Sequence, residues 1–127
     1  MSNKQSDIDA AFAQRFYIER IPFVLGSSEW HGADCIGLLV LYFKHQGWDY
    51  SWEKNVPRRI TSINTFDQLL RANQHEPDTQ GYIGVKNYGR HAHLGLCYQG
   101  QFLTQDMSGN SVEPKITENI TRYNWRN

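Results

Sequence analysis

Gly32-Ala33-Asp34-Cys35-Ile36-Gly37-Leu38-Leu39-Val40-Leu41-Tyr42-Phe43-Lys44-His45-Gln46-Gly47 is the stretch whose reading decides the fold. Asp34 is suited to cap a helix, which puts Cys35 in the first turn, where backbone N–H groups lack partners. Gly47 suits the left-handed position just past a helix end, and Lys44 and His45 suit the negative end of the dipole. Ile36, Leu38, Leu39, Val40, Leu41 and Phe43 wrap most of the circumference, so the spacing predicts a helix buried on several sides. Its N-terminal end carries a thiol. That end stabilises a thiolate and is expected to lower the thiol's pKa. A small buried core cysteine is the alternative.

The 127 residues predict one domain, spanning 1–127, with its own core. The 13 basic and 13 acidic residues balance, with no block of either sign, which argues against a phosphate-neutralising nucleic-acid binder. Aromatic residues make up 13% of the chain and point to a packed core or a ring-lined groove. No run has the length of a membrane span, and Met1 to Asp9 is polar without an apolar signal segment. The expectation is a cytoplasmic protein that leaves by lysis, or a component of a particle. Cys35 and Cys97 permit one disulfide, but without an export signal reduced thiols are the default.

Outward from the cysteine helix, Ser6 to Ile18 reads as an amphipathic helix with Ile8, Phe12 and Phe16 at helical spacing. Pro22 to Gly26 reads as a short extended piece, and Ser27 to Gly32 as a loop holding Trp30, either a substrate wall or a lid on the core. After the basic turn Pro57-Arg58-Arg59, Thr65 and Gln68 have capping-box spacing and predict a helix ending near Asn73. His75 to Gly81 is loop by composition, and His45 and His75 are expected in solvent. From Gly81 the period changes to two. Tyr82, Ile83 and Val85 mark one strand and Ala92 to Tyr98 another, with His93, Gly95 and Cys97 on one face. Gln99-Gly100 turns tightly into Gln101 to Gln105, Ser108-Gly109-Asn110 turns again, and Ile120 to Trp125 closes the sheet. Helices first and an antiparallel sheet second give an α+β layout.

A cysteine at a helix start and a histidine on a later strand are the parts of a Cys-His pair, which needs a third group to orient the imidazole. His91 shares a strand face with His93, and with Cys97 and Cys35 or His31 it offers an alternative zinc set. A Cys35–Cys97 disulfide competes with the Cys-His reading. Four strand residues separate His93 from Cys97, roughly 13 Å at about 3.3 Å each.

Pro22-Phe23-Val24-Leu25-Gly26, Asp34-Cys35-Ile36-Gly37-Leu38-Leu39, His93-Leu94-Gly95-Leu96 and Gly100-Gln101-Phe102-Leu103-Thr104 resemble the NlpC-type cysteine peptidases, a papain-like group, and most of all those of bacteriophage tails. The resemblance runs from Ile21 to Val112. It implies a papain-like fold, N-terminal helices packed on a C-terminal antiparallel sheet, and hydrolysis of amide bonds in peptidoglycan stem peptides. Carried over by position, Cys35 is the nucleophile, His93 the base, Thr104 the third group, and Asp34 a recogniser of a substrate amine. Backbone N–H groups at the helix start would hold the oxyanion. The resemblance implies no metal or organic cofactor, and as partners a cell-wall peptide and phage tail proteins. The alternative is an inactive relative serving as a structural or binding part. Phe23, Ile36, Gly81-Tyr82 and Thr104 depart from the family pattern, and Gln105 stands one residue from the third position.

Overall fold

The computed structural model describes residues 4–59 and 62–126; Met1 to Asn3 of the polar N-terminal stretch lie outside it. In chain order the elements are α1 (Ala10–Ile18), β1 (Ser28–Glu29), β2 (Gly32–Ala33), α2 (Cys35–Gln46), a 3-10 turn (Ser51–Asn55) and α3 (Ile63–Ala72). There follow β3 (His75–Pro77), β4 (Ile83–Asn87), β5 (Ala92–Tyr98), β6 (Gln101–Asp106), β7 (Gly109–Glu113) and β8 (Ile120–Trp125). Strands β3 to β8 form one six-stranded antiparallel sheet in the order β3-β8-β4-β5-β6-β7. The α+β layout is therefore observed.

Helix α2 starts and stops as its sequence predicts. Asp34 Oδ1 accepts from the Gly37 N–H at 2.7 Å. At the other end Gly47 lies at φ 73, the Gly47 N–H reaches Lys44 O at 3.2 Å, and the Trp48 N–H reaches Phe43 O at 2.9 Å. This pair of bonds satisfies the last carbonyls, and the Phe43 and Trp48 rings pack over them with centroids 5.2 Å apart. Residues Ile36 to Phe43 are all buried, and α2 lies against β5, β6 and β1. Each such large apolar side chain contributes roughly 1.5–3 kcal/mol through burial. Gly37 is required by the fit: a Cβ there would come within 2.1 Å of Ser27 O, so only glycine lets the β1 loop close on the helix.

Four local expectations are corrected. Helix α1 begins at Ala10, because Asp9 rather than Ser6 accepts the capping bond, from the Phe12 N–H; Ile8 instead joins the sheet through its N–H to Cys97 O. Helix α3 is capped by Ser62, which accepts from the Thr65 N–H, so Thr65 lies inside the first turn. The loop Ser27 to Gly32 contains a small antiparallel hairpin, Ser28 opposite Ala33. His75 to Pro77 is an edge strand paired with β8, His75 opposite Trp125. His75 is buried there, with Nδ1 on Asn73 O and Nε2 on the Tyr82 hydroxyl, while His45 is exposed as expected. The turn at Gln99-Gly100 is as read, both residues at positive φ.

Candidate active site

Asp34 is the fixed point of the site. Beyond capping α2, its Oδ2 accepts from the Gly26 N–H at 2.7 Å. The guanidinium of Arg58 closes on the same carboxylate, Nε to Oδ2 at 3.0 Å and Nη2 to Oδ1 at 2.9 Å. Arg58 also donates to Glu53 Oε2 at 3.1 Å, to Ser27 O at 3.1 Å and to Ser28 Oγ at 2.9 Å. The carboxylate is thus filled with internal donors, and its side chain is only 4% exposed. An amine would have to displace Arg58 and leave that cation unpaired. The amine-recognition role expected for Asp34 is corrected accordingly.

Cys35 follows directly and lines a cavity of about 230 Å³. The same cavity is lined by His93 and Gln105 from the sheet, by Phe23 and Leu25 as apolar wall, and by Arg58, Arg59 and His91. The cysteine and histidine that the sequence paired across the chain are therefore brought to one cleft. The thiol is not activated at rest. Burial pushes it up to about 11, Asp34 acting in the same direction, against the pull of the Leu94 and Ile36 N–H groups and of Arg58. The expected lowering by the helix end is real in sign but smaller than the desolvation cost.

Burial also holds the His93 imidazole below its usual value, His91 and Lys86 adding to this and Asp106 opposing it. His93 sits edge-on to the rings of Tyr88 (5.1 Å) and His91 (5.4 Å). Its Nδ1 is buried and has no hydrogen-bond partner. Gln105, also fully buried, donates from Nε2 to Ile21 O at 2.5 Å, while its Oε1 has no partner. Two residues that line one cavity thus each carry an unpartnered buried atom, a ring nitrogen on His93 and an amide oxygen on Gln105.

Thr104 does not supply the third group. It is 2% exposed and its hydroxyl donates to Leu94 O at 2.6 Å. The paired residues of β5 and β6 end at Gly95 opposite Thr104, and beyond them Gln105 pairs only with Asn110 of β7. Trp30 is the other correction: it does not line the cavity but packs on α1, 5.3 Å from the Phe12 ring and beneath the Arg15 guanidinium at 3.8 Å. It is a lid on the core.

Among the described residues no group of three or more His, Cys, Asp or Glu side chains is placed to hold a metal ion. Cys97 is buried and lines no part of the cavity, and both cysteines are free thiols. No described helix is long and apolar enough to cross a membrane. Sequence reasoning saw the Arg58-Arg59 pair after a proline only as a basic turn, and it left open Gln105, one residue from the third position, as a group that a bulge would have to re-aim.

No family model matches the chain, and no curated protein matches it.

Proposed function

We propose that this chain is a papain-like, NlpC-type thiol hydrolase that cleaves an amide bond in peptidoglycan stem peptides, working as part of a phage tail. The observation that carries the reading is the cleft shared by Cys35, His93 and Gln105, with its complementary unpartnered atoms. In this reading His93 Nδ1–H pairs with Gln105 Oε1, which leaves Nε2 unprotonated to serve the sulfur. Because the thiol rests protonated and the imidazole neutral, His93 takes the proton as the sulfur attacks the carbonyl carbon. The new C–S bond makes a tetrahedral oxyanion, for which the N–H groups at the start of α2 are the available donors. Collapse breaks the C–N bond, and the leaving amine takes the proton from His93 Nε2. Water then hydrolyses the thioester by the same route and restores the thiol.

Incubation with purified peptidoglycan tests the reading: new amino groups appear with the parent protein and are absent with Cys35→Ala. A second reading is an inactive relative that serves as a binding part of the tail. It is favoured by the raised thiol and by Phe23, which has no hydroxyl to offer the cleft. Equal behaviour of parent and Cys35→Ala on cell wall would select it.

A further inference from the structure

A second cavity, of about 300 Å³, shares no lining residue with the Cys35 cleft. It opens between the segment that follows α2, the end of α3 and the end of β8. Its walls are aromatic: Phe43, Trp52 and Trp125. The buried Phe43 ring meets Trp52 at 5.3 Å and 82°, and Trp125 at 5.9 Å and 35°. Trp125 is held in turn by Trp48 at 5.0 Å and His75 at 4.0 Å, so the walls are set before any ligand arrives. Both lining indoles are half-buried, and the Nε1 atom of each is covered and has no hydrogen-bond partner. What these rings leave accessible is therefore carbon.

The polar rim decides what such walls hold. Asn73 donates from Nδ2 to Leu69 O at 2.8 Å, and Gln74 Oε1 accepts from Arg126 at 2.9 Å, so both amides are engaged within the chain. Among the described residues Asp49 is the one charged group lining the cavity, and it forms no ion pair. Its carboxylate is held by the Ser51 N–H at 3.2 Å and the Ser51 hydroxyl at 2.9 Å, neutral donors that leave its charge uncompensated.

We propose that this cavity binds an alkylated ammonium group, of the kind carried by choline or by a methylated lysine. The negative faces of aromatic rings attract an organic cation, ring carbon packs on its methyl groups, and Asp49 supplies the opposing charge at the rim. A neutral sugar would need free hydrogen-bonding groups where the two amides are already engaged. An inorganic cation would need more oxygen ligands than one carboxylate provides. The site lies outside the Cys35 cleft and does not rest on the hydrolase reading.

Two probes of equal shape and different charge test this: choline and its neutral isostere, in which a tert-butyl group replaces the trimethylammonium. The readout is the indole N–H resonances of Trp52 and Trp125 at low salt, with Trp52→Phe to assign them. Trp30, which packs on α1 and lines no part of the cavity, is the internal reference. Choline is expected to shift both resonances saturably, with the neutral isostere at least about fivefold weaker. Asp49 is exposed, and Asp49→Asn keeps an oxygen for Ser51, so the fold stays intact. That substitution weakens choline by about two- to fivefold, the size an exposed charge supports, and leaves the isostere unchanged. Nε-trimethyllysine is titrated alongside, and the tighter of the two cations names the source of the group. No saturable shift from either cation, equal affinity for choline and its isostere, or indifference to Asp49→Asn overturns the proposal. So does N-acetylglucosamine shifting the two resonances where choline does not. The titrations are repeated in Cys35→Ala, where no thiol chemistry can occur, so failure of the hydrolase reading leaves their result standing.

Discussion

The Arg58 guanidinium lies in the plane of recognition of the Asp34 carboxylate, Nε on Oδ2 at 3.0 Å and Nη2 on Oδ1 at 2.9 Å, and both side chains are withdrawn from solvent. This relationship ties the segment after the 3-10 turn to the very start of the cysteine helix. Removing one member of such a pair leaves the other charge buried and unpaired. Arg58→Ala is therefore expected to cost about 3–5 kcal/mol, read as a drop in the denaturant midpoint. Arg58→Lys, which keeps the charge but loses the fork, recovers only part of it.

Gln105 and Thr104 are neighbours with different duties, and substitution separates them. Gln105→Leu keeps volume but removes the unpartnered Oε1 acceptor that the hydrolase reading assigns to His93; turnover of cell wall is expected to fall by about tenfold or more. Thr104→Val loses the bond to Leu94 O and is expected to cost about 1 kcal/mol of stability, with turnover per folded molecule little changed. Kinetics and urea unfolding on both variants check this.

His75 gives the fold a pH dependence of known sign. Burial lowers its pKa to about 4 from 6.5, with the bond to Asn73 O opposing. The unfolded chain therefore binds the proton more readily than the folded one. Stability is fully present above pH 6.5 and is lost as pH falls from there toward 4, by up to about 3 kcal/mol. Thermal unfolding between pH 7 and pH 4 is expected to show this loss, and a variant His75→Gln to show a shallower slope over the same interval.

Gly37 marks where the loop and the helix touch. A Cβ placed 2.1 Å from Ser27 O forces the hairpin β1–β2 away from α2, so Gly37→Ala is expected to cost about 1–3 kcal/mol despite the better helix propensity of alanine. The melting temperature measures it.

The parts of this fold written locally were legible in the sequence. Helix α2 with both its caps, strand β5 from Ala92 to Tyr98, and the Gln99-Gly100 turn each depend on residues a few positions apart. What escaped depends on distant partners. His75 to Pro77 becomes a strand only because Tyr123 to Trp125 lies beside it. Gln105 lines the cleft although a strict two-residue alternation puts it on the face opposite that of the third position. The shared cleft of Cys35 and His93 was anticipated from the helix start and the strand. The raised thiol was not, because desolvation depends on what packs over the sulfur rather than on its place in the helix.

The most direct measurement is the pH profile of Cys35 alkylation by iodoacetamide in the parent and in His93→Ala. Proton transfer from sulfur to a neutral imidazole predicts a rate that climbs as His93 loses its proton below pH 6.5, stays level, and climbs again near pH 11 as the thiol ionises unaided. The first rise is predicted to vanish in His93→Ala. A single rise near pH 11, identical in both proteins, would contradict the pairing of Cys35 with His93 and with it the assignment of a thiol hydrolase.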